Sequence, residues 1–297
     1  TMSLKVGILM GGPSEERNVS LSSGKAVSDA CKSLGYKTTD FPFKNNYQKL
    51  IHNLKNQDII FNSLHGGIGE NGKIQAWMDK NDIKYTGSGS AASALCMNKV
   101  RSKDLASIHG IKTAEWESLY TVKDKPTVGL PFVVKPNGQG STIGLNIVNN
   151  ESEIETAIQE AFKHGSQIMV EKYIEGRELT VTVLGCEAYP IVEIEPCHKV
   201  YDYTCKYTPG MSKYICPAEL DDGLTISIKK DTELLFSLLG CKVYARADYL
   251  LDNSGNHYFL EMNTLPGMTS TSLVPKSVQA EGVSFQKLIK NIIELSL

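Results

Sequence analysis

A chain of 297 residues is long enough for two or three domains, and its 41% hydrophobic and 22% charged residues are typical of globular proteins. The formal net charge of −2 gives no indication of a nucleic-acid or membrane partner, and we expect neither. No apolar run approaches the roughly 18 residues of a membrane helix, and no secretory signal is visible. The seven cysteines include no CxxC pair, so we expect free thiols in a reducing cytoplasm, not structural zinc.

The first ninety residues alternate between predicted strands and helices. Helical stretches separate the predicted strands 4–10, 37–43, 58–64 and 84–87. Ser14 is expected to cap the first helix, with Glu15 and Glu16 in its first turn, where the helix dipole favours acids. This alternation predicts a parallel sheet whose ligands bind beyond the carboxyl ends of the strands, where turns 11–17 and 65–72 lie.

A glycine-rich loop, 138–144, lies in the middle of the chain. The surrounding pattern predicts a small α+β domain with a helix at 91–110, strands at 131–136 and 167–173, a strand ending at 148 and a helix at 151–164. Glycines around Ser141 and Thr142 allow backbone amides to approach a phosphate, and Lys135 supplies positive charge. The spacing does not match the P-loop, just as Gly11-Gly12-Pro13 does not match GxGxxG, and a flexible hairpin tip is the alternative for the loop.

Two further polar features have more than one interpretation. Glu171-Lys172-Tyr173-Ile174 ends a predicted strand before Glu178, and its alternating donors and acceptors could bind adenine and ribose. An ordinary exposed strand end is the alternative. His65 follows an apolar strand, where a lone histidine is more often structural than catalytic.

The last third of the chain contains a long segment without a periodic pattern, 197–216, which includes four tyrosines. A structureless loop of that length in a compact domain is usually functional. Around it the pattern predicts strands at 178–184 and 189–195, a helix at 225–239, a loop rich in Ser and Thr at 264–277 and a final helix at 284–295.

A hairpin is predicted from two apolar segments, 243–251 and 256–263, joined by turn-forming residues. With Asn253-Ser254 as a two-residue loop, the register pairs Tyr249 with Tyr258, Ala247 with Leu260 and Ala245 with Met262. We favour this register because it makes one face apolar in both strands, whereas a slip by one residue would mix the faces.

The other face of this hairpin presents Arg246, Asp248, Glu261 and Asn263. Two carboxylates about 4 Å apart repel by about 4 kcal/mol at an effective dielectric constant near 20. Oxygen ligands of this kind suit a hard cation such as Mg²⁺, so the pattern indicates a metal site. A polar strand surface that faces water is the alternative.

Taken together, these segments resemble the D-alanine–D-alanine ligases of the ATP-grasp superfamily over nearly the whole chain. The motifs follow the family order: Gly11-Gly12-Pro13-Ser14-Glu15-Glu16-Arg17-Asn18-Val19-Ser20-Leu21, His65-Gly66-Gly67-Ile68-Gly69-Glu70-Asn71-Gly72, Met97-Asn98-Lys99, Val134-Lys135-Pro136, Gly140-Ser141-Thr142, Glu171-Lys172, Tyr201-Asp202-Tyr203, Lys206-Tyr207, Arg246-Ala247-Asp248 and 261–272. Two departures are mild: Asn98 replaces the usual acid, and Gln139-Gly140-Ser141-Thr142 replaces Glu-Gly-Ser-Ser.

The resemblance implies a mixed α/β (α+β) fold of the three-domain ATP-grasp type. The implied domains are an N-terminal Rossmann-like domain at 1–90, a central subdomain at 91–176 and a C-terminal catalytic subdomain at 177–297, with ATP between the last two. It also implies ATP-dependent joining of two D-alanines through a D-alanyl phosphate for peptidoglycan synthesis. ATP is then a substrate beside D-alanine, two Mg²⁺ (or Mn²⁺) ions are cofactors, and a cytoplasmic homodimer is expected.

The resemblance also implies a role for each matching residue. The implied metal ligands are Asp248, Glu261 and Asn263. The implied ATP-binding residues are Lys99 and Lys135 at the phosphates, Glu171, Lys172, Ile174 and Glu178 at the adenosine, and Lys206. The implied catalytic residues are Glu16 at the ammonium of the first D-alanine, Ser141 and Tyr207 hydrogen-bonded in a chain with it, and Arg246 with the Gly267 amide at the oxyanion. The implied substrate-binding residues are His65, Ser272 and Leu273.

Residues 201–214 match the loop that closes over the site in this family. Tyr207 favours a dipeptide product, because members that make D-alanyl-D-lactate usually carry Phe there. A related carboxylate–amine ligase with another acceptor, and a nucleotide-binding regulator without catalysis, are the alternatives.

Overall fold

The computed structural model describes residues 3–196, 210–269 and 271–297. In chain order its strands are β1 (Lys5–Gly11), β2 (Lys37–Phe43), β3 (Ile59–Asn62), β4 (Trp116–Leu119), β5 (Phe132–Pro136), β6 (Asn146–Val148), β7 (Ile168–Lys172), β8 (Gly176–Leu184), β9 (Glu187–Ala188), β10 (Val192–Pro196), β11 (Ser212–Ile215), β12 (Tyr244–Asp252) and β13 (His257–Asn263). Its α-helices are α1 (Arg17–Ser33), α2 (Ile51–Lys55), α3 (Lys73–Lys80), α4 (Ser90–Met97), α5 (Lys99–Ile108), α6 (Ile154–Phe162), α7 (Asp222–Leu238), α8 (Leu273–Gln279) and α9 (Phe285–Ser296). Short 3₁₀ helices span Tyr47–Leu50, Gly67–Gly69 and Glu151–Glu153.

The N-terminal sheet is parallel, as predicted, with the strand order β2-β1-β3. The predicted strand 84–87 is reduced to one parallel bridge between Tyr85 and Ile60. The expected Ser14 cap is wrong: α1 begins at Arg17, and the Ser14 hydroxyl instead donates to the carbonyl of His65 at 2.5 Å. The hydroxyl therefore joins two turns at the carboxyl end of the sheet.

The central sheet is antiparallel, with the strand order β4-β7-β5-β6. Helix α6 covers one face through Ile158, which is buried with Phe132, Val134 and Val170. The predicted helix at 91–110 is divided into α4 and α5 at Asn98, whose side chain caps α5 by accepting the Arg101 amide at 3.0 Å.

The C-terminal sheet has the strand order β11-β10-β8-β12-β13, and β9 pairs with β8. Helices α4, α5 and α7 contribute buried side chains to its core. The expectation of an irregular segment at 197–216 is wrong for β11, which extends the sheet beside β10; residues 197–209 lie outside the described residues. The predicted loop 264–277 likewise ends early, because α8 begins at Leu273.

The predicted hairpin forms, but its register is wrong. Tyr249 pairs with Phe259, Asp248 pairs with Glu261, and the register shifts between Asp248 and Tyr249. Phe259 and Met262 are both buried although they are three residues apart, and only a bulge at Leu260 lets both side chains face the core. Residues 253–256 connect the strands in place of the two-residue loop. The polar face survives, because the bulge leaves Arg246 opposite Asn263.

The final helix, α9, packs against the N-terminal sheet. Its buried residues Ile289 and Ile292 join a core with Val27 of α1, Tyr244 of β12 and Met268. This packing brings the carboxyl end of the N-terminal sheet close to the segment after β13. Among residues 3–196, 210–269 and 271–297, the helices lack the combination of length and apolar character that a membrane crossing requires.

Candidate active site

Two cavities lie next to the polar end of the hairpin. The first, of about 100 Å³, is lined by ten of the residues singled out from the sequence: Glu16, His65, Lys99, Ser141, Arg246, Glu261, Asn263, Gly267, Ser272 and Leu273. The second, of about 450 Å³, lies between the central and C-terminal sheets and is lined by Lys135, Glu171, Lys172, Ile174 and Glu178. The second volume is within the range of small-molecule and cofactor sites.

In the first cavity, Glu16 joins the N-terminal sheet to the glycine-rich loop. Its carboxylate accepts a short hydrogen bond from the Ser141 hydroxyl, across 125 positions of sequence. Glu16 also lies against Gly66, where an added Cβ would stand 2.7 Å from its Oε2 atom. Gly66 has a φ of 66°, so both the backbone conformation and the close approach favour glycine. The carboxylate is therefore fixed from two sides.

The glycine-rich loop adopts an unusual backbone. Ser141 and Thr142 are consecutive non-glycine residues with φ values of 52° and 65°, in the left-handed region. This conformation costs energy, and above all for a β-branched residue such as Thr142. The hydrogen bond from Ser141 to Glu16 helps to hold the glycine-rich loop in this conformation. The strained backbone therefore lies at a residue that the sequence predicted to belong to the site.

His65 connects α1 to the segment that follows β13. Its Nδ1 atom lies 3.1 Å from the carbonyl oxygen of Leu265, which can only accept, so Nδ1 carries the proton. Nε2 then accepts from the Ser23 hydroxyl at 3.0 Å, and the Ser23 oxygen accepts the Met268 amide at 3.1 Å. Burial lowers the pKa of His65, which agrees with a neutral ring. The histidine and Ser23 thus fix residues 265–268, including Gly267.

Glu70 is a cavity residue that was not selected from the sequence, although it lies in the quoted segment 65–72. Burial, followed by the nearby Glu16 carboxylate, raises the pKa of Glu70 to about 8. Its Oε1 atom is 3.9 Å from His65 Nδ1. The signal that could have found it is the acid beside glycines at the carboxyl end of a buried strand.

The polar face of the hairpin presents acids paired with cations. Arg246 donates two hydrogen bonds to Asp248, at 2.9 and 2.8 Å, and Thr180 donates a third at 2.7 Å. Lys99 lies 3.0 Å from Glu261 and is also held by the Gln139 carbonyl at 2.6 Å.

The predicted metal ligands share this face because Asp248 is paired directly with Glu261 and Asn263 lies two residues further along β13. Within the described ranges, no group of three or more His, Cys, Asp or Glu side chains is arranged to hold a metal ion. The expected set is instead two carboxylates and one carboxamide, the hard oxygen donors that suit Mg²⁺ or Mn²⁺. Lys99 and Arg246 offset part of the negative charge of the two carboxylates on this face.

The segment after β13 brings Gly267 and Ser272 together. An added Cβ on Gly267 would stand 2.8 Å from the Ser272 hydroxyl, so a side chain at this position would clash. The Ser272 oxygen also accepts the Thr269 amide at 2.9 Å. Leu273 contributes its side chain to a small core with Val192 and Ile194, so its backbone is the part suited to a polar substrate group.

In the second cavity, the Glu171 carboxylate is buried between two lysines. Lys103 and Lys135 each donate a short hydrogen bond to it, one to each oxygen. Burial alone would raise the pKa of Glu171, but the two ammonium groups outweigh burial and lower it. Lys103 was not selected from the sequence, because lysines are usually solvated and nothing in its local pattern marks it as buried.

The other residues of the second cavity lie at strand ends. The Lys172 ammonium donates to the carbonyls of Gly129 and Leu130, at 2.9 and 3.0 Å. Ile174 and Glu178 line the cavity from the connection between β7 and β8 and from β8 itself. Lys206 and Tyr207, like most of the expected closing loop 201–214, lie outside the described residues.

Comparisons with known proteins agree on one family. A family model described as "D-ala D-ala ligase C-terminus" matches residues 104–294. The chain is 40% identical over 304 residues to the D-alanine–D-alanine ligase of Halalkalibacterium halodurans, with 99% of each chain covered.

Two solved structures also superimpose on nearly the whole chain. The crystal structure of the D-alanine–D-alanine ligase from Bacillus anthracis complexed with ATP is 32% identical, with a TM-score of 0.87 over 99% of this chain and 97% of that one. The VanG D-Ala:D-Ser ligase from Enterococcus faecalis is 27% identical, with a TM-score of 0.84 and both chains fully covered. These matches confirm the predicted mixed α/β fold class.

Proposed function

Because the chain belongs to the D-alanine–D-alanine ligase family, we propose that it uses ATP to join two D-alanines into D-alanyl-D-alanine. The observation that carries this proposal is the first cavity, where Glu16 and Ser141 face the cationic and acidic end of the hairpin. A nucleotide-sized cavity lies on the same face of the hairpin, nearer its turn, where Leu250 and Leu260 line it. Amino-acid recognition and phosphate chemistry can therefore meet at β13.

In the first step, the carboxylate oxygen of the first D-alanine attacks the γ-phosphorus of ATP. The bond from that phosphorus to the bridging oxygen breaks, so that ADP leaves and D-alanyl phosphate remains. Glu16 is the proposed partner of the substrate ammonium, and Ser141 fixes its carboxylate. Lys99 and Lys135 are the proposed phosphate partners, because ammonium groups neutralise the charge that is transferred.

In the second step, the neutral amine of the second D-alanine attacks the acyl carbonyl. The bond from the acyl carbon to the phosphate oxygen then breaks, so that inorganic phosphate leaves, and the nitrogen gives up a proton to form the amide. Arg246 and the Gly267 amide are proposed to hold the oxyanion of the tetrahedral intermediate, a role worth about 3–4 kcal/mol for a single donor in other enzymes. Ser272 and the Leu273 backbone are the proposed contacts of the acceptor carboxylate. His65 acts by fixing residues 265–268, which carry that amide.

Asp248, Glu261 and Asn263 are the proposed ligands of two Mg²⁺ or Mn²⁺ ions. When bound, such ions neutralise the phosphate oxygens and stabilise the charge of the transferring phosphoryl group. Lys99 and Arg246 already hold Glu261 and Asp248 on the cavity side of the hairpin. These contacts keep the oxygen ligands in one orientation.

The second cavity is the proposed ATP site. Glu171, Lys172 and Ile174 would contact the base and Glu178 the ribose, while the bulged Leu260 adds an apolar contact. Lys206 and Tyr207 complete the proposed set as an ATP contact and as a partner of Ser141, within a closing loop at 201–214.

The remaining proposals concern the biological setting. We propose domain bounds at 1–90, 91–176 and 177–297, a homodimer, and a cytoplasmic role in peptidoglycan precursor synthesis. The similarity to a family of ligases that join D-alanine supports the last of these.

The direct test measures phosphate release from ATP with D-alanine and with L-alanine, together with mass-spectrometric identification of the product. We expect phosphate and D-alanyl-D-alanine in equal amounts with the D-isomer, and neither with the L-isomer. ATP binding without phosphate release would contradict catalysis. Phosphate release only when D-serine or D-lactate accompanies D-alanine would instead indicate a changed acceptor, as in the D-Ala:D-Ser ligase of Enterococcus faecalis.

A further inference from the structure

Lys103 is a fully buried lysine that joins three elements. Its side chain on α5 is 0% exposed. The ammonium donates to Glu171 Oε1 on β7 and, at 3.0 Å, to the carbonyl of Phe259 on β13. Lysines are almost never fully buried unless they are paired, so this arrangement requires its partners.

The position of Lys103 connects the two walls of the second cavity. Glu171 belongs to the central sheet, and Phe259 belongs to the C-terminal sheet. Phe259 immediately precedes the bulged Leu260, and both Glu171 and Leu260 line the cavity. One ammonium group therefore holds a charged part of one cavity wall and an apolar part of the other.

The Glu171 carboxylate has two cationic partners with different surroundings. Lys103 is sealed in the interior, whereas Lys135 is part of the cavity lining. Burial lowers the pKa of Lys103 to about 8. Attraction to the Glu171 carboxylate opposes this shift, and repulsion from Lys135 adds to it. If Lys135 turned towards a phosphate, Glu171 would be an unpaired buried charge without Lys103, and such charges are strongly destabilising.

We propose that Lys103 is a positioning residue for nucleotide selection, which holds Glu171 in place as a charged acceptor and leaves Lys135 able to exchange between Glu171 and a phosphate. This inference rests on the proposed use of ATP and assigns a role to a residue outside the cavity lining. It implies that Lys103 affects the choice of base through Glu171.

A carboxylate accepts hydrogen bonds and cannot donate them. It can therefore accept a hydrogen bond from the exocyclic amino group of adenine, whereas the carbonyl oxygen that guanine has at the same ring position would be repelled. Glu171 in its held orientation thus selects adenine over guanine. Loss of Lys103 should reduce this selection, because Glu171 would then be held by Lys135 alone.

The test compares the affinities for ADP and GDP by calorimetry, without D-alanine, in wild type and Lys103→Met. We expect the variant to lose at least about tenfold in ADP affinity, as for a hydrogen bond to a charged group, with a much smaller change for GDP. In steady-state assays the KM for ATP should rise by more than kcat falls. If the ratio of the affinity for ADP to the affinity for GDP (the ADP-to-GDP ratio) were the same in the variant as in wild type, the proposal would be overturned.

Thr232→Val is the matched control for general destabilisation. Thr232 is buried in the core of the C-terminal sheet and its hydroxyl is hydrogen-bonded to Ile228 and Tyr249, outside both cavities. This variant should unfold at a lower temperature and keep the wild-type ADP-to-GDP ratio. A ratio that falls equally in both variants would show that Lys103 has only a structural role.

A double variant, Lys103→Met with Glu171→Gln, tests whether Lys103 acts through Glu171. Because this double variant has no buried carboxylate at position 171, it can still be measured if Lys103→Met alone does not fold. Its ADP-to-GDP ratio should equal that of Glu171→Gln alone, since coupled residues are not additive; a clearly lower ratio would contradict the inference. Wild type that prefers ADP but forms no dipeptide would refute the proposed function and leave this inference standing.

Discussion

The two cavities share a wall but are built in different ways. The bulge places Leu260 and Glu261, neighbours in β13, on the same face of the hairpin. Leu260 lines the second cavity, here called the nucleotide cavity, and Glu261 lines the first, the polar cavity. The polar cavity is assembled from turns distant in sequence, such as those with Glu16 and Ser141. The nucleotide cavity lies between two antiparallel sheets. Single polar changes should therefore disturb the amino-acid substrate in one cavity and the nucleotide in the other.

The largest effect is expected where the cavities meet. Glu261→Gln removes a carboxylate from the proposed metal-binding face while it keeps the shape of the side chain. We expect kcat to fall by at least about 10²–10³-fold, the scale for loss of one electrostatic partner of a transition state. Glu155→Gln on the exposed side of α6 is the control. Wild-type phosphate release by Glu261→Gln would contradict the metal assignment.

Ser141→Ala should separate the two cavities. The change removes the hydrogen bond that fixes Glu16, so the KM for D-alanine should rise by about tenfold, as expected for a hydrogen bond to a charged group. The affinity for ADP should stay within about twofold, since it depends on the other cavity. Equal losses for both ligands would show that the cavities are not independent.

Ser23→Ala tests whether His65 acts by positioning. Loss of the hydroxyl removes the hydrogen bonds from Ser23 to His65 and from Met268 to Ser23, and we expect kcat to fall by about threefold to tenfold, the scale of one or two neutral hydrogen bonds. Ser28→Ala, on the same helix, is a matched control, because the buried Ser28 hydroxyl has no hydrogen-bond partner in the described part of the chain. A similar loss of activity in both variants would contradict the positioning role.

The last prediction concerns stability and not activity. The pKa of Glu70 is raised to about 8 in the folded protein, so the folded state holds a proton that the unfolded state releases near the ordinary glutamate pKa of 4.5. Glu70 therefore makes stability fall as the pH rises from about 4.5 to about 8. Glu70→Gln should flatten the decline in unfolding temperature over this interval, and an unchanged decline would show that Glu70 is ionised in the folded state.

The sequence predicted features that depend on local pattern. Alternating side chains placed Arg246, Asp248, Glu261 and Asn263 on one face, and the pattern of strands and helices predicted the parallel sheet. The hairpin register could not be predicted, because the bulge at Leu260 depends on the burial of Phe259 in a core formed by distant residues.

Contacts between residues distant in sequence also explain the other differences between the predictions and the structure. Ser14 lies two residues before Glu16, the N-cap of α1, and its hydroxyl donates to the His65 carbonyl instead. Lys103 looks like a surface lysine until β7 brings Glu171 against it. Within the site, residue types were predictable, whereas the pairing of one residue with another required the fold.

The most direct test of the account is a crystal structure with a non-hydrolysable ATP analogue and Mn²⁺, with the metal located by anomalous scattering. The account predicts Mn²⁺ at Asp248, Glu261 and Asn263, with the base beside Glu171 and the phosphates directed towards the polar cavity. Manganese bound elsewhere, or a nucleotide outside the space between the central and C-terminal sheets, would contradict it.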